Sequence, residues 1–223
     1  MERDDFEVFH EPFGDSYYYS EERLSDRYSN VEPKAEYNYQ NVLAGILAPR
    51  EKRVFVKDMA YHADGLIGPE FVRHFTNTFI IRDPKYVIAS LYRMWPDFTL
   101  EETGFEQLYH LFRYATEVNP DGVVVVDAMT FSENPVGVLS AYCERLSIPF
   151  RPDSLSWESE EVPEWERWDE WHEKAQQSTS IERAERKDPA LSQELQEAYD
   201  HCLPYYYHLA AKAISVTGRV PPA

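Results

Sequence analysis

The sequence predicts a three-layer α/β fold of the P-loop type, in which helices flank a mostly parallel sheet. Short apolar runs rich in β-branched residues alternate with helical patterns along the chain. Such alternation favours right-handed crossovers between parallel strands. No Gly/Ser linker or internal repeat divides the 223 residues, so we expect one domain over residues 1–223 with a single core.

Four strands and five helices are predicted before the C-terminal part. The strands are Glu7–His10, Arg53–Lys57, Thr78–Arg82 and Val123–Asp127, and the helices are Val42–Leu47, Pro69–His74, Pro84–Met94, Leu100–Thr116 and Pro135–Leu146.

The C-terminal part, residues 158–223, is predicted to be helical. An acidic stretch contains Trp165, Trp168 and Trp171 at helical spacing, which indicates an amphipathic helix that packs by its aromatic face. Further along, Pro204 interrupts an apolar helical pattern. Because proline kinks or breaks a helix, we expect a pair of packing helices there.

The most informative segment joins a strand to a helix. Thr78–Ile81 has the composition of a buried parallel strand, and Asp83 and Pro84 suit the N-cap and first position of a helix. This pattern places Arg82 at the carboxyl end of a strand, where open sheets bind ligands, and Ser90 about two turns into the helix. A guanidinium and a hydroxyl in these positions can bind one phosphate. Local capping by Arg82 and simple packing of Ser90 are the alternative.

The eight-residue spacing from Arg82 to Ser90 resembles the 3'-phosphate signature of the sulfotransferases that use 3'-phosphoadenosine 5'-phosphosulfate (PAPS). The resemblance covers Glu7 to about Trp171. Further similar segments are Phe9–Phe13, Val54–Met59, Gly137–Leu146, Ile148–Phe150 and Leu155–Glu158. The resemblance implies that Arg82 and Ser90 bind the 3'-phosphate of PAPS, with no metal involved.

The resemblance also implies a function, with alternatives. The expected reaction is transfer of a sulfuryl group from PAPS to a hydroxyl or amine of a small-molecule acceptor. The family's P-R-S-x-S-T loop and first strand are not found, because Met1–Phe6 corresponds to the end of the helix after that loop. We expect either a truncated enzyme with a gap in its sheet or a relative that has lost catalysis. A catalytically inactive binding or scaffold protein, and a small-molecule kinase on the same scaffold, are the other interpretations.

The residues after the second strand are candidates for the reacting centre. By position in the family, His62 would take the acceptor's proton while Lys57 stabilises the sulfonate or leaving phosphate. Asp58 and His10 are rival bases, and a surface His62 beside a solvated Lys57 is the alternative. Glu11 is a candidate on the substrate side, unless it simply ends the strand.

A tyrosine-rich segment, residues 15–40, corresponds to the family's variable acceptor-binding insert. Tyr17 and Tyr18 are therefore candidates for acceptor binding, since tyrosines form walls of pockets for amphipathic molecules. Packing of these rings against the core is the alternative.

The charge and the cysteine content of the chain limit which classes of partner it can bind. The formal charge of −18 argues against binding to nucleic acid or to an anionic membrane, because both are polyanions. Cys143 and Cys202 are too few for a disulfide framework and lack histidines at metal spacing. With no signal peptide or long apolar span in the sequence, we expect a cytoplasmic protein.

Overall fold

A computed structural model describes residues 3–159, 165, 169–183 and 188–216. The strands are β1 (Phe6–His10), β2 (Arg53–Lys57), β3 (Thr78–Ile81) and β4 (Val124–Asp127). The α-helices are α1 (Pro12–Tyr19), α2 (Tyr39–Leu47), α3 (Pro69–Arg73), α4 (Pro84–Met94), α5 (Phe105–Val118), α6 (Ala128–Glu133), α7 (Pro135–Arg145), α8 (Asp169–Gln177) and α9 (Gln193–Ala210). Short 3₁₀ helices span Ala35–Tyr37, Ala60–Leu66, Glu101–Thr103 and Pro152–Leu155. The predicted α/β class is confirmed.

The strands form two parallel pairs. β1 pairs with β2, so that His10 lies opposite Lys57, and β3 pairs with β4, so that Ile81 lies opposite Asp127. In the described ranges these pairs are two separate two-stranded sheets. Because parallel partners end at the same edge, each pair brings the residues after its two strands close together.

Helices cover the two strand pairs with separate groups of apolar residues. The core against β3 and β4 contains Val72, Phe79, Ile81, Ala115, Val125 and Leu209. Phe13, Tyr39, Leu43, Ile46 and Ala63 form a second buried group, against which Val54 and Val56 of β2 pack. A third group joins α4, α5 and α9 through Ile88, Phe105, Leu195, Ala198 and Cys202. Helices thus bury the apolar residues of both strand pairs, as this fold class requires.

The C-terminal region differs from the predicted helix pair. A single helix, α9, runs from Gln193 to Ala210 and contains Pro204 within it. After α9 the chain turns back to the sheet, where Ala213 forms a parallel bridge with Val125 and the Ile214 amide donates to the Val125 carbonyl at 2.8 Å. The prediction of a helix pair was wrong, because packing of α9 against α4 and α5 keeps the segment helical despite the proline.

No helix among the described residues is both long enough and apolar enough to cross a bilayer.

Candidate functional site

The first part of the candidate site lies where β1 and β2 end. The Glu11 amide donates to the Lys57 carbonyl at 2.6 Å, and the Lys57 ammonium forms an ion pair with the Glu11 carboxylate. The Glu11 side chain is 10% exposed and that of Lys57 is 41% exposed. Burial raises the pKa of Glu11, but the charge and hydrogen bond of Lys57, together with His62 and His10, outweigh burial and lower it. The charge of Lys57 is therefore compensated within this chain.

Asp58 holds His62 in a defined orientation beside this ion pair. The carboxylate of Asp58 accepts hydrogen bonds from the amides of Phe13 and Met59, both at 2.8 Å. Its Oδ1 also lies 2.7 Å from Nδ1 of His62. An aspartate bonded to one ring nitrogen of a histidine fixes the tautomer and leaves the other nitrogen, Nε2, to accept a proton.

His62 is an interior residue, with 2% of its surface exposed. Its ring contacts those of Tyr17, Tyr18 and Tyr61. A Cβ at Gly14 would lie 3.3 Å from the His62 ring, so glycine allows α1 to approach it closely. The alternative of a surface histidine was wrong, because α1 and its tyrosines cover the ring.

Tyr17 and Tyr18 lie on α1 inside a cluster of aromatic rings. Tyr18 is fully buried and its hydroxyl lies 3.4 Å from that of Tyr61. Burial raises the pKa of Tyr17 to about 12. The structure therefore places both rings in the packing position that was the alternative for this segment. Their role in acceptor binding stays a prediction.

The second part of the candidate site lies where β3 ends. β3 stops at Ile81, one residue before the predicted end, and Asp83 caps α4 by accepting from the Lys85 amide at 2.8 Å. Arg82 is exposed, with its guanidinium 5.5 Å from the centre of the Tyr86 ring. Among the described residues no carboxylate lies within ion-pair distance of Arg82. The guanidinium is thus held by an aromatic face and keeps its donors available.

Ser90 lies further along α4 and has a basic neighbour that sequence reasoning missed. Arg93 donates through Nη2 to the Ser90 hydroxyl at 3.3 Å. The signal was its position three residues after Ser90 on the same helix, which places the two side chains together. Arg82, Ser90 and Arg93 provide two guanidiniums and a hydroxyl on the strand end and helix that the sequence singled out.

A cluster of rings meets the end of β1 from the C-terminal region. His10 lies 5.1 Å from His172 of α8 and 5.7 Å from Trp165, measured between ring centres, and Trp165 stacks on His172 at 4.6 Å. Burial, aided by the charge of Lys57, lowers the pKa of His10 to about 4. Sequence reasoning did not connect His10 with His172, because nothing in a single sequence relates two segments so far apart.

The predicted tryptophan stripe is described only in part. Trp171 of α8 packs edge-to-face on Trp95, with ring centres 4.9 Å apart. Trp168 lies outside the described residues. The contacts of Trp171 with Trp95 and of Trp165 with His10 show that tryptophans of this region pack onto the body of the protein.

The chain is similar to known proteins at the level of a family model and of a solved structure. The model of the family described as "Sulfotransferase domain" matches residues 1–213. Comparison with curated proteins gave no match. A solved structure, the sulfotransferase domain from the curacin biosynthetic pathway, is similar at 16% identity and a TM-score of 0.42, over 73% of this chain and 64% of that domain. The chain therefore spans less than two thirds of that domain.

Proposed function

This chain belongs to the sulfotransferase domain family, and from that premise we propose that it transfers a sulfuryl group from PAPS to a hydroxyl or amine of a small-molecule acceptor. The observation that carries the proposal is Arg82, an exposed guanidinium at a strand end. The chain has 40 acidic and 22 basic residues, so an arginine without a carboxylate partner among the described residues is well suited to an anionic ligand.

We assign the 3'-phosphate of PAPS to Arg82, Ser90 and Arg93. Arg82 and Arg93 would donate N–H groups to its oxygens, and the Ser90 hydroxyl, which now accepts from Arg93, would supply a further donor. When bound, PAPS supplies the activated sulfuryl group. The chain's own contribution at this end is to hold and orient an anion.

The chemistry is assigned to the last residue of β2, Lys57, and to His62, which follows that strand. In the proposed reaction the bond from sulfur to the leaving phosphate breaks, and a new bond forms between sulfur and the acceptor oxygen or nitrogen. His62, oriented by Asp58, takes the acceptor's proton on Nε2 once the acceptor displaces the tyrosines of α1 that cover its ring. Lys57 stabilises the negative charge on the transferring oxygens and the leaving phosphate. Because Lys57 is paired with Glu11, it must share its ammonium between that carboxylate and the sulfonate. Glu11 thereby sets how strongly Lys57 attracts the anion.

Transfer of labelled sulfate from PAPS to a panel of phenols, alcohols and amines tests the activity. We expect transfer to at least one acceptor, and a loss of roughly 10²–10⁴-fold in the rate for His62→Gln, as is typical when a general base is removed. The matched variant is His10→Gln, which changes the rival base at the end of β1. A larger loss for His10→Gln than for His62→Gln would reassign the base.

The inactive binding protein is separated from the enzyme by the same panel. If adenosine 3',5'-bisphosphate binds but no acceptor is modified under any condition, the chain is a binding protein with the sulfotransferase fold. If neither binding nor transfer occurs, the proposed function is wrong.

A further inference from the structure

We propose that His10, Glu11 and His172 form a binding site for a divalent transition-metal ion, with Zn²⁺ as the representative ion. One ligand atom from each residue can be chosen so that all three lie within 4.8 Å of one another. This site goes beyond the proposed sulfuryl transfer, which uses no metal.

The donor set suits such an ion. Two imidazoles and one carboxylate are a common ligand set for zinc sites that keep a further coordination position open. The ligands of a tetrahedral Zn²⁺ lie about 2.0–2.1 Å from the ion and so roughly 3.4 Å from each other. The spacing of up to 4.8 Å therefore closes by side-chain rotations, with no rearrangement of the fold.

Two further observations distinguish this cluster from a chance meeting of polar side chains. The Nδ1 atom of His10 is buried and has no hydrogen-bond partner, which is rare for an interior polar atom and calls for an explanation. Glu11 has a left-handed backbone with φ 50° and ψ 46°, a conformation that costs a non-glycine residue energy and is common at functional sites. This conformation joins β1 directly to α1 and places the carboxylate next to His10.

The surroundings favour ordered ligands. Trp165 stacks on the His172 ring at 4.6 Å, which restricts how that ring can turn. Glu11 pairs with Lys57 through Oε1, so its other oxygen can bind an ion, or the ion can replace Lys57 on the carboxylate. Ion and ammonium then compete for one carboxylate. Metal binding would loosen the Lys57–Glu11 pair and connect α8 to the end of β1.

Titration of the metal-free protein with Zn²⁺, followed by calorimetry, tests the site, and Co²⁺ serves as a spectroscopic probe of coordination geometry. We expect one ion per chain and a Kd at least tenfold lower than that of His172→Ala, since even changes outside the ligand shell cost roughly 10–100-fold in metal affinity. The control is His110→Ala, which removes a surface histidine whose Nε2 lies 3.6 Å from Glu106. His110→Ala should bind Zn²⁺ like the wild type.

His172→Ala and one further variant, Lys57→Met, separate coordination from general loss of structure. His172→Ala changes α8 and leaves β1 and its partner strand intact, so its loss of affinity cannot come from misfolding of the strand end. Lys57→Met removes the ammonium that competes for Glu11, and it should bind Zn²⁺ more tightly than the wild type. A saturating ion at about 100 times its Kd should also raise the melting temperature of the wild type by about 5–10 °C.

The proposal is overturned by either of two results. One is equal Zn²⁺ affinity for the wild type and His172→Ala. The other is a loss of Zn²⁺ affinity in His110→Ala that is as large as the loss in His172→Ala. Neither result bears on the binding of adenosine 3',5'-bisphosphate near Arg82, so the sulfotransferase proposal stands or falls separately.

Discussion

Replacement of Arg27 by methionine is expected to destabilise the fold strongly. Arg27 donates through Nε and Nη2 to the two oxygens of Glu102, at 2.7 and 2.6 Å, and its guanidinium lies 4.3 Å from the centre of the Trp95 ring. The Glu102 side chain is only 3% exposed and that of Arg27 is 15% exposed. The hydrogen bonds from Arg27 to Glu102 raise the pKa of Arg27, so the guanidinium remains charged.

The magnitude follows from what the substitution leaves behind. Removing one partner of a buried ion pair leaves an uncompensated charge and costs about 3–5 kcal/mol. The contact of Arg27 with Asp97 adds little to this, because the Asp97 side chain is 80% exposed. For a protein of this size, each kcal/mol lowers the melting temperature by about 2–4 °C, so we expect a drop of roughly 10 °C.

Urea denaturation followed by far-UV circular dichroism measures the change in the free energy of unfolding. The control is Arg113→Met, which breaks the surface pair of Arg113 with Glu117 at 3.8 Å and should cost less than about 1 kcal/mol. In the double variant Arg27→Met/Glu102→Leu the buried charge is gone, so most of the loss should be recovered. If Arg27→Met costs no more than Arg113→Met, Glu102 is not buried as described and the packing of the tyrosine-rich segment on the body of the protein is wrong.

Three further predictions concern the capping, packing and reactivity of single residues. Asp83→Ala removes the acceptor for the Lys85 amide and should lower the free energy of unfolding by about 1 kcal/mol, whereas Asp83→Asn, measured in the same urea series, should retain most of it. Gly65→Ala places a Cβ 2.6 Å from the buried Tyr39 ring, and overpacking of this kind costs about 1–3 kcal/mol; an unchanged melting temperature would contradict the close approach. Cys202 is fully buried and burial raises its thiol pKa, so a thiol reagent should label it in urea but not in the native protein at pH 8. Rapid labelling of the native chain would count against this interior position.

The sequence predicted the strands well because their signals are local. All four strands of the part that the structure describes were identified, and α4 has the predicted bounds, Pro84–Met94. The Asp83-Pro84 pair fixed where that helix begins, and its apolar residues Ile88 and Leu91 are buried. The strand before it ends one residue early, at Ile81, which leaves Arg82 in the turn.

Sequence reasoning failed where burial or distant contacts decide the structure. Helix α1 was not predicted because Phe13, Gly14, Ser16, Tyr17 and Tyr18 are all buried, which removes the alternation between an apolar face and a polar face. Two helices were predicted because of Pro204, whereas the packing that keeps α9 a single helix cannot be read from the sequence.

The candidate site shows the same division. The positions of Lys57 on β2 and Ser90 on α4 followed from the local pattern, whereas the pairing of Lys57 with Glu11 depends on β1 lying beside β2. The contact of Asp58 with His62 spans four residues and could have been suspected from the sequence. The burial of His62 under the tyrosines of α1 could not have been predicted, since it depends on where α1 packs.

The binding of adenosine 3',5'-bisphosphate to Arg82→Ala tests the central claim most directly. Calorimetry should show binding to the wild type and a loss on the order of 2 kcal/mol for Arg82→Ala, because a charge-assisted contact with the 3'-phosphate is removed. The matched control is Arg113→Ala, since Arg113 also lies over a tyrosine ring, at 4.8 Å from Tyr114, but on α5. The account predicts wild-type affinity for Arg113→Ala, and equal affinity for Arg82→Ala and the wild type would contradict it.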